Sequence, residues 1–293
     1  MKRIRLLLIA LLTLHIVACK QKKSSEQAFA LTRDTLQVEA PFGNYTIQSP
    51  NFENAPRLLI TDFGADPNNK MKNTEAIAAA IDSAHAIAGG TVVIPKGEWL
   101  TGKIHFKSNV NLHLEEGATL LFSEDPQDYL PAVLSTWEGM ECYNYSPLIY
   151  AYECENIAIT GKGKLKAKMD TWEVWFARPS GHMQNLKRLY EMASKDIPVE
   201  ERQMVNDSAN FRPQFIQFNR SKHILLEGIA IENSPFWVIH PYLSSDVIIR
   251  EVNVFAHGHN NDGVDPEMSQ NVLIENCVFD QGDDAIAVKA GRN

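Results

Sequence analysis

Cysteine is scarce in this 293-residue chain. There are four, Cys19, Cys142, Cys154 and Cys277, and no two of them stand at metal-ligand spacing. No metal site and no cofactor is therefore expected. Positive charge is also short: 28 Lys and Arg face 36 Asp and Glu, for a net charge of −8. That balance argues against nucleic acid as a partner, and it would mildly repel any polyanion unless local cations override it. Long apolar runs are missing as well. Residues 6–18 form an apolar stretch too short to span a bilayer. No phosphate-loop pattern accompanies Asp66-Pro67, so that turn is not a nucleotide site. Apolar residues make up 44% of the chain, which speaks against both disorder and a multi-span membrane protein. The length suffices for one large domain with its own core.

What the sequence does have is a repeat. Residues 221–231, 244–254 and 269–279 align on apolar, β-branched runs that begin at Ser221, Ser244 and Ser269, at offsets of 23 and 25 residues. A repeat of that length without helical periodicity predicts a solenoid of stacked strands. Residues about one repeat apart then lie on adjacent rungs, roughly 4.8 Å apart. Two acidic clusters fall on this period. Asp262 follows Asn260-Asn261, and Asp283-Asp284 follow Gln281-Gly282, 21 residues from Asp262 to Asp283. Asp262 and Asp283 are expected as neighbours across rungs, with Asp284 beside them. Successive strand residues point to opposite faces, so the backbone must bend at Gly282 for both aspartates to reach one groove. Carboxylates this crowded resist ionising together, and one should hold its proton to higher pH. Such a split is what acid–base cleavage of a glycosidic bond requires.

The stretches Asn260-Asn261-Asp262-Gly263, Gln281-Gly282-Asp283-Asp284 and residues 287–292 together resemble glycoside hydrolase family 28, the polygalacturonase family. Its signatures are Asn-Thr-Asp and Gly- or Gln-Asp-Asp; Asn261 stands where the family has threonine. The resemblance covers the chain from about Leu58 onward. It implies an all-β, right-handed parallel β-helix of the pectin-lyase-like kind that cleaves galacturonan or rhamnogalacturonan by inverting hydrolysis. Asp283 would be the general acid, and Asp262 and Asp284 would activate water. The family's later Gly-His-Gly and Arg-x-Lys find no match before Asn293, so the chain is expected to be the front part of a longer protein. Substrate contacts are expected from Asn260, from His240 on a turn near the groove, and from Lys289 and Arg292, the nearest cations to a uronate. Lys289 has an alternative use, pairing with an aspartate. His257 and His259 read as solvated turn residues. Two rivals stay open: a polysaccharide lyase on the same architecture, and a carbohydrate-binding solenoid without catalysis.

The remaining segments frame this domain. A basic start, residues 6–18 and Cys19 after Ile16-Val17-Ala18 resemble a bacterial lipoprotein signal, with Cys19 lipidated; the alternative is a plain signal peptide with an incidental cysteine. The chain would then be a monomer anchored to a membrane in the bacterial cell envelope, facing the periplasm or the outer surface, with an acidic plant cell-wall polysaccharide as partner. Residues 20–56 read as a tether and an extended segment, and 57–293 as the β-helix. Ile77, Ile81, Ala84 and Ala88 recur at helical spacing and predict a helix capping the open end of the coil. Residues 167–211 break the repeat as a partly helical insertion expected over the groove, where Trp172 and Trp175 either stack on sugars or bury the insertion against the coil. Cys142 and Cys154 either pair or stay as thiols, and Cys277 takes a core position. Asn109, Asn156 and Asn271 are expected to stack as a ladder.

Overall fold

The computed structural model describes residues 29–67, 72–206 and 208–292. The signal segment, Cys19 and the first part of the tether lie outside the described residues. The chain coils into three parallel sheets. The seven-stranded sheet runs, in spatial order, from Arg57–Leu59 through Gly90–Ile94, Val110–Leu114, Glu155–Gly161, Lys222–Glu227 and Ser245–Arg250 to Gln270–Glu275. A six-stranded sheet extends from Gly97–Thr101 to Val278–Gln281, and a four-stranded one from Ile104–His105 to Ile239–Tyr242.

Register follows the apolar pattern. Val92, Leu112, Ile159, Leu226, Ile249 and Ile274 pair in turn across successive rungs of the seven-stranded sheet. All but Ile274 are fully buried. Each such side chain contributes about 1.5–3 kcal/mol relative to exposure. A slip of one residue would turn this column to the outer face, so the register is strongly specified.

The predicted asparagine ladder forms in part. Asn109, Asn156, His223, Asp246 and Asn271 sit at the start of successive strands, all left-handed, with φ of 65, 52, 56, 53 and 52°. Asn156 Nδ2 donates to Asn109 Oδ1 at 2.9 Å and Asn271 Nδ2 to Asp246 Oδ1 at 3.1 Å. His223 interrupts the run. Short polar side chains tolerate this backbone conformation best, which explains Asn and Asp at four of the five positions.

The capping helix, α1 (Thr74–Ala86), buries Ile77, Ala80, Ile81 and Ala84 over the first rungs. Residues 31–56 form an antiparallel hairpin, Thr32–Ala40 with Gly43–Asn51. It lies along the outside of the seven-stranded sheet, with Ile47 against Ala158, Leu225 and Ile248.

Two excursions cover the four-stranded sheet. One is an antiparallel hairpin, Val133–Trp137 with Met140–Asn144, which the sequence reading did not foresee. The other is the expected insertion, carrying α2 (Asp170–Phe176) and α3 (Ser180–Ser194). They share a second core of Trp137, Met140, Cys142, Leu186, Leu189, Phe211 and Phe236. Trp137 is sandwiched between Phe211 and Phe236, both at 4.4 Å between ring centroids. Trp172 is buried edge-on against Tyr129 and Trp175, so the insertion's tryptophans serve packing. Cys142 lies in this second core and Cys154 in the main one, and both are free thiols. Cys277 is half-buried against the main core.

Candidate active site

The four-stranded sheet continues beyond Ile239–Tyr242 by single parallel bridges: Ile239 to Val264, Tyr242 to Glu267, Val264 to Ile286 and Glu267 to Lys289. Ile216, Ile239 and Val264 face the main core. By strand alternation, Gln217, His240 and Asp265 face outward, under the two excursions. Asp262 and Asp284 lie just ahead of these bridges. Val238 N donates to Asp262 O at 2.8 Å, and Gly263 N to Asp284 O at 2.9 Å. This register stacks Asp284, not Asp283, over Asp262, a correction of one residue to the spacing read from the sequence.

The three aspartates nevertheless meet. Asp262, Asp283 and Asp284 each place one carboxylate oxygen within 4.8 Å of the other two. Asp262 is buried, while Asp283 and Asp284 are exposed. Asp284 N donates to Asp283 Oδ1 at 3.0 Å, which shapes the turn. Gly282 is required here for close approach, not for a left-handed torsion. A Cβ at that position would lie 2.5 Å from Gly258 N and 2.6 Å from Gly258 O. Asn261, in the threonine position, ties its turn to the preceding rung: Nδ2 donates to Ser234 O at 2.9 Å and Phe236 O at 3.0 Å.

The aspartates open onto a cleft of about 420 Å³ lined also by Glu138, Gly139, Trp237, Asn260, Glu267, Lys289 and Arg292. Asn260 lines it with its side-chain oxygen engaged, accepting from Arg212 Nη2 at 3.0 Å and Arg178 Nη2 at 3.2 Å. Arg212 is fully buried and stacks on Phe176 and Phe236. It also donates to His259 O at 2.5 Å, so the insertion side of the molecule holds the turn before Asp262. His257 and His259 are exposed, as expected, and His257 Nε2 meets Asp280 Oδ1 at 2.7 Å.

Lys289 takes the second of its two expected uses. Its Nζ donates to Asp262 Oδ2 at 3.1 Å, lies 2.9 Å from Asp265 Oδ1, and sits 4.4 Å from the Trp237 ring centroid. Burial works against its charge, but Asp265 and Asp262 outweigh that and raise its pKa above the ordinary lysine value. Arg292 stays open, its side chain half-exposed. Its guanidinium contacts Tyr190 of α3 and lies 3.7 Å from Glu138 Oε2.

His240 corrects an expectation. It is fully buried, its ring edge-on to Trp237, with Nε2 at 2.8 Å from Glu267 Oε2 and Nδ1 at 3.0 Å from Gln217 Nε2. It supports the cleft floor and does not line the cleft. Asp265 and Glu267, which the sequence reading left without roles, are likewise fully buried. The carboxyl group driven to keep its proton is Asp265: burial first, then the neighbouring Asp262 charge, push it up to about 9, with Lys289 opposing. The signal was present in period-two alternation, since Gly263, Asp265 and Glu267 share one face.

The molecule is thus a parallel β-helix with three aspartates gathered at a polar cleft on its outer face. Residues 200–293 match the profile of glycosyl hydrolases family 28. Among solved structures, an exopolygalacturonase from Thermotoga maritima superposes with a TM-score of 0.79 at 41% identity, over 84% of this chain and 57% of that one. A family 28 exopolygalacturonase from Yersinia enterocolitica gives 0.62 at 25% identity, over 88% and 50%. A probable polygalacturonase from Vitis vinifera is 28% identical over 79% of this chain and 44% of its own length. The chain spans about half the length of the curated relatives it matches. The coil is the right-handed parallel β-helix of these structures, the hand that parallel crossovers adopt almost without exception.

Proposed function

We propose that the protein is a polygalacturonase-type glycoside hydrolase acting on pectic polysaccharide. The observation that carries this is the meeting of Asp262, Asp283 and Asp284 at one cleft mouth, within a chain that matches family 28. In this reading Asp283 protonates the leaving oxygen, and Asp262 and Asp284 activate the attacking water. Arg292, the cleft cation with its side chain half-exposed, meets a substrate carboxylate. The nearest aspartate oxygens lie closer than the roughly 6.5–9.5 Å expected between an inverting acid and base. The inverting outcome therefore rests on the family resemblance, and proton NMR of the first-formed anomer decides it.

General acid catalysis contributes roughly 10²–10⁴-fold. Asp283→Asn should lose at least that much reducing-end release from polygalacturonate while its circular dichroism stays unchanged. A variant with near wild-type turnover would overturn the acid assignment. An unsaturated, ultraviolet-absorbing product would place the protein among lyases instead.

Exo action is supported by the excursions. Arg292 N donates to Gly139 O at 3.0 Å, and the Arg292 guanidinium meets Tyr190, which brings the hairpin turn and α3 to one end of the cleft. Release of short products from the first seconds of digestion is the expected outcome; a spread of intermediate lengths would indicate internal cleavage. The lipid anchor is proposed on residues 16–19 alone, and fatty-acid labelling that is lost in Cys19→Ala tests it. A monomer is expected on size-exclusion chromatography.

A further inference from the structure

The cleft floor holds two carboxylates and one cation where pairing alone would call for equal numbers. Asp262 and Asp265 both face the Lys289 ammonium, and Asp265 is fully buried. Lys289 Nζ lies 3.1 Å from Asp262 Oδ2 and 2.9 Å from Asp265 Oδ1, so one oxygen of each carboxylate is met. Two oxygens are left buried with neither a hydrogen-bond partner nor the ammonium against them among the described residues: Asp262 Oδ1 and Asp265 Oδ2. An ionised carboxylate in that position is strongly disfavoured.

The other groups facing Asp265 cannot supply a donor. His240, its neighbour on the preceding rung, is engaged by Glu267 and Gln217. Glu267, on its own strand, is an acceptor and is turned to His240. Trp237 presents its ring to Lys289. Glu141 of the covering hairpin is taken up by Arg220 and by Tyr242, whose hydroxyl donates to it at 2.9 Å. What remains is Asp262 itself, with which Asp265 is in side-chain contact.

We propose that Asp265 is a neutral acid that positions the catalytic base: its O–H donates to Asp262 while Lys289 holds Asp262 Oδ2, so that one proton and one ammonium fix Asp262 as the single charged member of the pair. One shared proton satisfies an oxygen on each aspartate. It also removes the second negative charge that would otherwise stand beside the base. The upward push on the Asp265 pKa, to about 9, agrees with this arrangement. The role in catalysis rests on the hydrolase reading; the protonation state does not.

The test is thermal unfolding against pH for the wild type and for Asp265→Asn, which replaces a neutral acid by an uncharged donor of the same shape. The group's folded pKa stands above its ordinary 3.8. Its contribution is therefore fully present below about pH 4 and is lost as pH rises through about 9. The Tm of the variant minus that of the wild type should climb steadily across that window. A variant that falls further behind the wild type above pH 4, or a difference that does not change with pH, would show Asp265 to be ionised and overturn the proposal. Should Asp265→Asn not fold, infrared spectroscopy on the wild type serves. A neutral carboxylic-acid carbonyl band at pH 7 that vanishes on titration past pH ~10 supports the assignment, and its absence at pH 7 sinks it. In turnover, Asp265→Leu should lower kcat far more than it raises KM, with Asp265→Asn restoring most of the loss. A protein that unfolds with the expected pH dependence but cleaves no pectic substrate would end the hydrolase reading and leave the neutral acid standing.

Discussion

Lys289 and Arg292 stand three positions apart, and the structure gives them opposite kinds of work. Lys289 is committed to the floor, bridging Asp262 and Asp265 beneath Trp237. Arg292 reaches into the cleft with a half-exposed side chain that meets Tyr190 and lies 3.7 Å from Glu138 Oε2. A hydrogen bond to a charged group contributes about 1.5–3 kcal/mol, or roughly 10–150-fold in an equilibrium constant. Arg292→Ala should therefore raise KM for galacturonan by about that factor, with kcat and Tm little changed. Lys289→Met should do the reverse: lower kcat, because Asp262 loses its donor, while KM moves less. Steady-state kinetics on both variants separates the two roles. If Lys289→Met acted only through KM, its assignment to the base would be wrong. Nothing in the spacing of the two residues predicts this division. It follows from Glu267 pairing with Lys289, which puts the lysine side chain on the same outward face as the buried acids.

At the scale of elements, rung-to-rung packing sets the position of the acids. Gly282 and Gly258 lie back to back, with no room for a Cβ between them. Gly282→Ala should cost about 1–3 kcal/mol through overpacking, visible as a lower denaturation midpoint at an unchanged m-value. Because Asp283 and Asp284 follow directly, kcat should fall as well. An alanine variant with wild-type stability would mean that the turn has slack. The same elements show what could be read from the chain. The strands of the last turns, the capping helix and the insertion were legible because apolar periodicity survives wherever one face is buried. The offset between the two acidic turns was misjudged by one residue, since loops between sheets vary in length while strand pairing alone fixes register. The hairpin over the cleft was missed for a local reason. Its two-residue turn, Glu138-Gly139, has φ of 47 and 90°, a turn that normally announces itself with Asn-Gly or Asp-Gly. Glutamate in the first position hides that signal. His240 was misplaced because the cover that buries it, the hairpin and Trp237, was not foreseen.

For the molecule as a whole, charge and architecture pull against each other. The net charge is −8, and the cleft wall carries Glu138, Asp262, Glu267, Asp283 and Asp284 against Lys289 and Arg292. Lys289 is already neutralised by its own neighbours, so a polyanionic substrate approaches a surface of its own sign and finds attraction only at contact range. Long-range repulsion is screened before short-range attraction is: the Debye length shrinks from about 30 Å at 0.01 M salt to about 8 Å at 0.15 M. Raising ionic strength across that range should therefore increase kcat/KM on polygalacturonate by several-fold. A short galacturonide, which presents few charges beyond those that Arg292 meets, should respond much less. Parallel assays on polymer and trimer over a salt series check this. A steady fall in kcat/KM for the polymer would show that cations beyond the described residues govern its capture, and that the cleft's own acidity is not what the substrate feels on approach.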